Sequence, residues 1–157
     1  GEEEVPREII ESYEKICGGL IKGFEQLGLK AEHKPVNDVL ANEKKISGSA
    51  QTRRWGSVLQ HGTILIDPDI RKMFELLKVS PEKISDKFIT SVYQRVTSLN
   101  RELGDTPSFD DVREAMARGF EEVFEIELNE GKLSPGEKEL AGELRKKYAS
   151  RDWVGKR

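Results

Sequence analysis

Between Lys34 and Asp67 the chain reads KPVNDVLANEKKISGSAQTRRWGSVLQHGTILID, and this stretch limits the possible folds most. Val39-Leu40-Ala41 is a short apolar run that ends at Asn42-Glu43. Ile46 opens a second run after Lys44-Lys45, and Val58, Leu59, Ile64, Leu65 and Ile66 form a third that His61-Gly62 interrupts. β-Branched and apolar runs punctuated by Asn, Gly and Pro read as strands joined by turns. The same stretch is more polar than plain sheet, with Ser47-Gly48-Ser49-Ala50 and Gln60-His61-Gly62-Thr63 inside it. No acidic residue stands between the bases Lys44, Lys45, Arg53 and Arg54. A basic, glycine-containing strand pair of this kind suits an anion such as a phosphate better than a structural turn.

Helical periodicity flanks the strands. From Pro6 to Leu27, Ile9, Ile10, Tyr13, Ile16, Cys17, Leu20, Ile21 and Phe24 recur every three or four residues, and Gly28 is the natural stop. Asp67-Pro68 reads as a cap and first turn of a helix through Leu77. Ser80-Pro81-Glu82 opens a segment that is helical from Ser85 or Asp86 to Leu103, with a stripe of Ile89, Val92, Tyr93, Val96 and Leu99, and Gly104 closes it. Ser108-Phe109-Asp110-Asp111 is a capping-box pattern before a helix that buries Val112, Met116, Phe120 and Val123. Phe124 to Leu128 alternates apolar and acidic residues, which favours a half-buried strand over an extension of that helix. Ser134-Pro135-Gly136-Glu137 is a second capping box, with Leu140, Leu144 and Tyr148 expected to point inward. The basic end, with Lys146, Lys147, Arg151, Lys156 and Arg157, reads as a solvated helix C-terminus rather than a docking patch. With no repeat and no linker, residues 1–157 are expected to form a single α+β domain, one sheet with helices packed on it.

Composition narrows the function classes. A net charge of −3 argues against general nucleic-acid binding, and no apolar run is long enough to span a bilayer. One cysteine excludes an internal disulfide, and two histidines beside it argue against a zinc site. Without a secretory pattern, a cytoplasmic protein is the expectation. Cys17 lies on the apolar face of its helix, so it reads as a buried small hydrophobe and not a nucleophile.

Asn37-Asp38, a short strand, Lys-Lys-Ile-Ser-Gly-Ser-Ala-Gln from Lys44 to Gln51 and Leu-Gln-His-Gly-Thr from Leu59 to Thr63 together resemble the lipoate-protein ligase family. The related biotin protein ligases carry a similar Pro-x-Asn-Asp followed by Lys-Lys-Ile-x-Gly. The end, LAGELRKKYASRDWVGKR, is similar to the close of that catalytic domain. The resemblance implies a mixed, mainly antiparallel sheet like that of class II aminoacyl-tRNA synthetases and biotin ligases. It also implies ATP-dependent activation of lipoate to lipoyl-AMP, then transfer of the acyl group to a lysine of a lipoyl-carrier protein (a dehydrogenase-complex E2 or the glycine cleavage H protein). An earlier, glycine-rich part of that domain has no counterpart here. The chain is therefore expected to be the C-terminal part of the domain, incomplete without an N-terminal partner chain or segment. Some ligases carry a small accessory domain as well.

By that resemblance Lys45 is the catalytic cation. A positive charge between an anionic acid and an anionic phosphate cancels their repulsion and stabilises the transition state. Asn37 and Asp38 are expected beside the nucleotide, with Asp38 on Mg²⁺. Gly48, Ser49, Ala50, His61, Gly62 and Thr63 are expected to line the nucleotide or acyl pocket. Each has a plainer reading from the residues alone: a solvated edge lysine, an Asx-turn, a bulge glycine, a hydrogen-bonded structural histidine. Two further functions compete. One is an octanoyltransferase of the same superfamily, whose Ser-Ala-Gln-Thr-Arg and Leu-Gln-His-Gly segments look like those here but which works through a cysteine thioester. The other is a non-catalytic binding subunit of a split ligase.

Overall fold

The computed structural model describes residues 2–76 and 86–156. The chain forms two compact units, Gly1–Glu127 and Leu128–Arg157. In the first, helix α1 (Ile9–Gln26) precedes four strands, β1 (Glu32–Lys34), β2 (Asp38–Ala41), β3 (Lys44–Arg54) and β4 (Ser57–Ile64). All neighbours are antiparallel and the order is β1-β2-β3-β4. Helices α2 (Ile70–Leu76), α3 (Asp86–Tyr93), α4 (Leu99–Leu103) and α5 (Phe109–Phe124) follow. The expected α+β class and mainly antiparallel sheet are both present, and an isolated parallel bridge joins Lys45 to Val96.

The core lies between α1, the sheet and α5, where Cys17, Phe24, Val39, Ile46, Leu99, Val112 and Met116 are buried together. Helices α1 and α5 cross at glycines. A Cβ on Gly119 would sit 2.2 Å from the Gly19 carbonyl oxygen and 2.4 Å from the Gly23 nitrogen, so only hydrogens fit at the crossing. This close approach turns the buried face of α1 toward Ser12, Tyr13, Cys17, Gly19, Gly23 and Phe24. Ile9 and Ile10, expected on that face, are exposed in the first turn. Gly28, at φ +79°, ends the helix as its sequence position suggests.

Several local expectations are corrected. β4 runs unbroken through His61-Gly62, because each residue from Ser57 to Ile64 has a partner on β3. Helix α2 begins at Ile70 and is capped by Asp69, whose Oδ1 accepts from the Lys72 N–H at 3.0 Å, two residues later than expected. Its expected end at Leu77 and the Ser80-Pro81-Glu82 opening lie outside the described residues. The helix expected to reach Leu103 is broken between Tyr93 and Leu99, because the chain turns at Gln94-Arg95 and Val96 bridges to Lys45. The Ser108 capping box forms with Asp111. Beyond α5, Glu125 is left-handed at φ 53°, and Ile126 and Leu128 are exposed rather than paired in a strand.

The second unit contains α6 (Pro135–Tyr148), with the expected Ser134–Glu137 capping box, and α7 (Arg151–Val154). Leu140, Leu144 and Tyr148 are exposed here rather than inward. A unit this small has little interior to offer, and Tyr148 packs edge-on to Trp153 with ring centroids 4.7 Å apart.

Candidate functional site

A bulge builds the site. Leu40 on β2 pairs with Lys45 but Val39 pairs with Ser47, so Ile46 is the extra residue on β3. Strict alternation would place Lys45 on the same side as Ser47 and Ser49. One added residue switches the parity. Ile46, Ser47 and Ser49 are buried, while the Lys45 side chain lies over Gly48, where a Cβ would meet Lys45 Cε at 2.6 Å and Nζ at 2.7 Å. Gly48 is therefore bare to make room for the lysine. Asp38 is the direct β2 partner of Gly48 and Thr63 its β4 partner, so the three share one face.

Lys45 Nζ stands 2.6 Å from Asp38 Oδ1, with the two side chains 42% and 31% exposed. An ion pair that is this solvated is worth about 0–1 kcal/mol. Its effect is thus positional: it fixes one ammonium in the lining of an open pocket of about 580 Å³, shared with Leu40, Glu43, Val92, Arg95 and Val96. The lysine's main chain is fixed as firmly. Its N–H donates to the Arg95 carbonyl and its carbonyl accepts from the Thr97 N–H, both at 2.9 Å.

The other expected site residues divide. Asn37 ties strands together: its side-chain amide donates to the Ser49 carbonyl at 2.5 Å, and its own carbonyl accepts from the Ser49 N–H at 2.9 Å. Ser49, His61 and Gly62 line a separate cavity of about 110 Å³ shared with Ile16, Leu20 and Phe120. Gly62 is bare because Ser49 Oγ would lie 2.7 Å from a Cβ there. Ala50 and Thr63 are exposed on β3 and β4. The structure thus gathers Lys45, Asp38 and Gly48, braces them through Asn37, and sets Ser49, His61 and Gly62 around the second cavity. Sequence reading missed the 95–97 segment, since Val96 falls in the helical stripe of Ile89, Val92 and Tyr93. The β-branched pair Val96-Thr97 was the available signal.

Asp38 offers one carboxylate, already engaged by Lys45. Among the described residues no group of three or more His, Cys, Asp or Glu side chains gathers as a metal site. A magnesium ion would have to take its remaining ligands from phosphate and water. Cys17 is 0% exposed, and burial pushes its thiol pKa up, against the weaker opposing effect of Gln60, whose amide approaches Sγ at 3.9 Å. Among the described residues no helix is long and apolar enough to cross a membrane.

Residues 2–121 match the family of the lipoyl protein ligase A/B catalytic domain. Octanoyltransferase LipM of Brevibacillus brevis is 33% identical over 96% of this chain and 63% of its own length. Octanoyltransferase LipM of Kyrpidia tusciae is 31% identical over 95% of this chain and 62% of its own. The chain thus spans less than two thirds of the curated relatives it matches. Among solved structures, the bi-partite lipoate protein ligase of Thermoplasma acidophilum, described with its E2 lipoyl domain, superposes with a TM-score of 0.83 at 32% identity. That match covers 95% of this chain and 59% of the other. The curated relatives correct the expectation of ATP-dependent lipoate activation: they are transferases.

Proposed function

The chain belongs to the lipoyl protein ligase A/B catalytic domain family, and from that premise we propose that it is the lysine-bearing part of an octanoyltransferase. The reaction is transfer of an octanoyl group from a carrier thioester to a lysine of a lipoyl-carrier protein. The acceptor amine attacks the thioester carbonyl, the C–N bond forms, the C–S bond breaks, and the thiol leaves with the proton lost by the amine. Negative charge develops on the carbonyl oxygen as the tetrahedral intermediate forms. A fixed cation beside that oxygen stabilises it, and removing one such donor typically costs about 10²- to 10³-fold in rate.

The observation that carries this reading is the Lys45–Asp38 pair over Gly48, a lysine ammonium held at 2.6 Å from its counter-ion in the lining of a pocket. The LipM relatives, about 30% identical over most of the chain, supply the acyl group. Where family transferases form a cysteine thioester on the way, Cys17 is not that thiol, since it is sealed in the core. A partner segment that completes the acyl pocket, and a lipoyl domain as acceptor, are the partners this reading implies. The two-part organisation of the Thermoplasma ligase supports both.

The test mixes the protein, with and without the complementary segment of a LipM relative, with an octanoyl thioester and a lipoyl domain, and follows intact mass. A gain of one octanoyl group on the acceptor without ATP is the expected result. No acyl gain in either mixture, or a gain that requires ATP and free acid, would refute it.

A further inference from the structure

Two pieces of chain outside β3 adjoin Lys45, one in sequence and one by hydrogen bond, and one carboxylate joins them. The first is the turn Asn42-Glu43 between β2 and β3, both residues left-handed at φ 48° and 61°. The second is the segment 95–97, whose Arg95 carbonyl and Thr97 N–H bond both main-chain groups of Lys45. The side-chain amide of Asn42 donates to Glu102 Oε2, and the Thr97 hydroxyl donates to Glu102 Oε1. Thr97 is almost wholly buried.

Glu102 itself is well anchored. It sits on α4, which Gly104 closes in a left-handed conformation at φ 75°. The start of that helix is tied to the chain beyond β4, with the Leu99 N–H on the Leu65 carbonyl at 2.8 Å and the Asn100 N–H on the Ile66 carbonyl at 2.9 Å. Leu99 is fully buried in the main core. A rigid base therefore carries one carboxylate whose two oxygens each fix one side of the lysine's cradle.

We infer that Glu102 is a positioning residue for Lys45, acting through Asn42 and Thr97. This rests on the reading of Lys45 given above. The carboxylate is set by geometry to hold the β2–β3 turn and the 95–97 segment at one separation. Lys45 is two residues from the turn and bonded to the segment, so that separation bears on where the ammonium stands relative to the reacting carbonyl. Displacements near 1 Å in such placements are worth as much as about 100-fold in rate.

The test compares Glu102→Ala, Glu102→Gln and Thr97→Val. Glu102→Ala should lower the kcat of acyl transfer by about 10- to 100-fold with KM for the acyl donor unchanged. Glu102→Gln should recover most of the loss: its carbonyl still accepts from Thr97, and its amide can donate to Asn42 once the Asn42 amide turns over. In a Lys45→Ala background, Glu102→Ala should cause no further fall. A second readout needs no turnover: the Lys45 εCH₂ resonance should shift and narrow in Glu102→Ala and Thr97→Val, and return in Glu102→Gln. An unchanged Lys45 resonance in Glu102→Ala, or a Glu102→Gln variant as impaired as Glu102→Ala, overturns the inference. If Lys45→Ala transfers at the parent rate, the catalytic reading of Lys45 fails instead, and the resonance alone decides whether Glu102 positions it.

Discussion

Gly18 of α1 and Gly119 of α5 are predicted to respond to alanine with opposite signs. In Gly119→Ala the new methyl would stand 2.2 Å from the Gly19 oxygen and 2.4 Å from the Gly23 nitrogen, more than 1 Å inside ordinary contact. Both obstacles are backbone, so no side chain can swing aside and the helices must part. Overpacking typically costs about 1–3 kcal/mol, and backbone obstacles place this case at about 3. Alanine in a helix interior returns about 1 kcal/mol. The net loss is about 2 kcal/mol, or roughly 4–8 °C in Tm for a chain of this length. In Gly18→Ala the methyl meets only Val123 Cγ1 at 3.6 Å and Cγ2 at 3.7 Å, which is normal packing. The helix gain then stands alone, at about 0.5–1 kcal/mol of stabilisation. Urea unfolding followed by circular dichroism reads both changes as midpoint shifts at constant m. A Gly119→Ala protein as stable as the parent, or a Gly18→Ala protein clearly less stable, would refute the crossing described for α1 and α5.

Gly48→Ala should push Lys45 off Asp38 and cut acyl transfer at least 10-fold, on the order of a misplaced catalytic group, while thermal stability holds or rises because a strand glycine is replaced; loss of both together would contradict the role given to the bare Gly48. Ser108 and Ser134 hold the Asp111 and Glu137 carboxyls below their usual range, Asp111 mainly through the serine hydroxyl and Glu137 mainly through the serine backbone N–H. A depressed folded pKa stabilises above the unfolded value, about 3.9 for Asp and 4.3 for Glu, and that stabilisation is lost as pH falls through the folded value. Helix content should hold from neutral pH to about 4 and decline below it, with a flatter decline in Ser108→Ala. Cys17 should alkylate slowly at pH 8 in the folded protein and quickly in urea, and Cys17→Ala should keep acyl transfer; loss of transfer in that variant would give the buried thiol a catalytic part after all.

How far the sequence reveals this molecule depends on how local each cause is. Both capping boxes, the α1 stop at Gly28 and the α4 stop at Gly104 were legible, since each is set by residues within one turn. The strand core around Val39 and Ile46 was legible for the same reason. What was hidden required partners far along the chain. The helix expected through Val96 breaks because that residue bridges to Lys45, some fifty positions earlier, and no 3.6-residue pattern records such a partner. Nor does a two-residue alternation show the bulge at Ile46, so the facing of Lys45 toward Gly48 and Asp38 emerges only with the register. The apolar stripe of α1 does not explain its glycine pair Gly18-Gly19 either, since the reason for Gly19 appears only when Gly119 of α5 is seen against it. The α6 stripe misled for the opposite reason. Periodicity shows an apolar face but not whether anything lies against it.

The most direct test replaces the one ammonium by an apolar chain of similar length. Intact mass of a lipoyl domain is followed over time with an octanoyl thioester donor, without ATP, for the parent and for Lys45→Met in the presence of the complementary segment. The account predicts steady octanoylation by the parent and a rate at least about 100-fold lower in the variant, with the two proteins equally folded. Equal rates would contradict it.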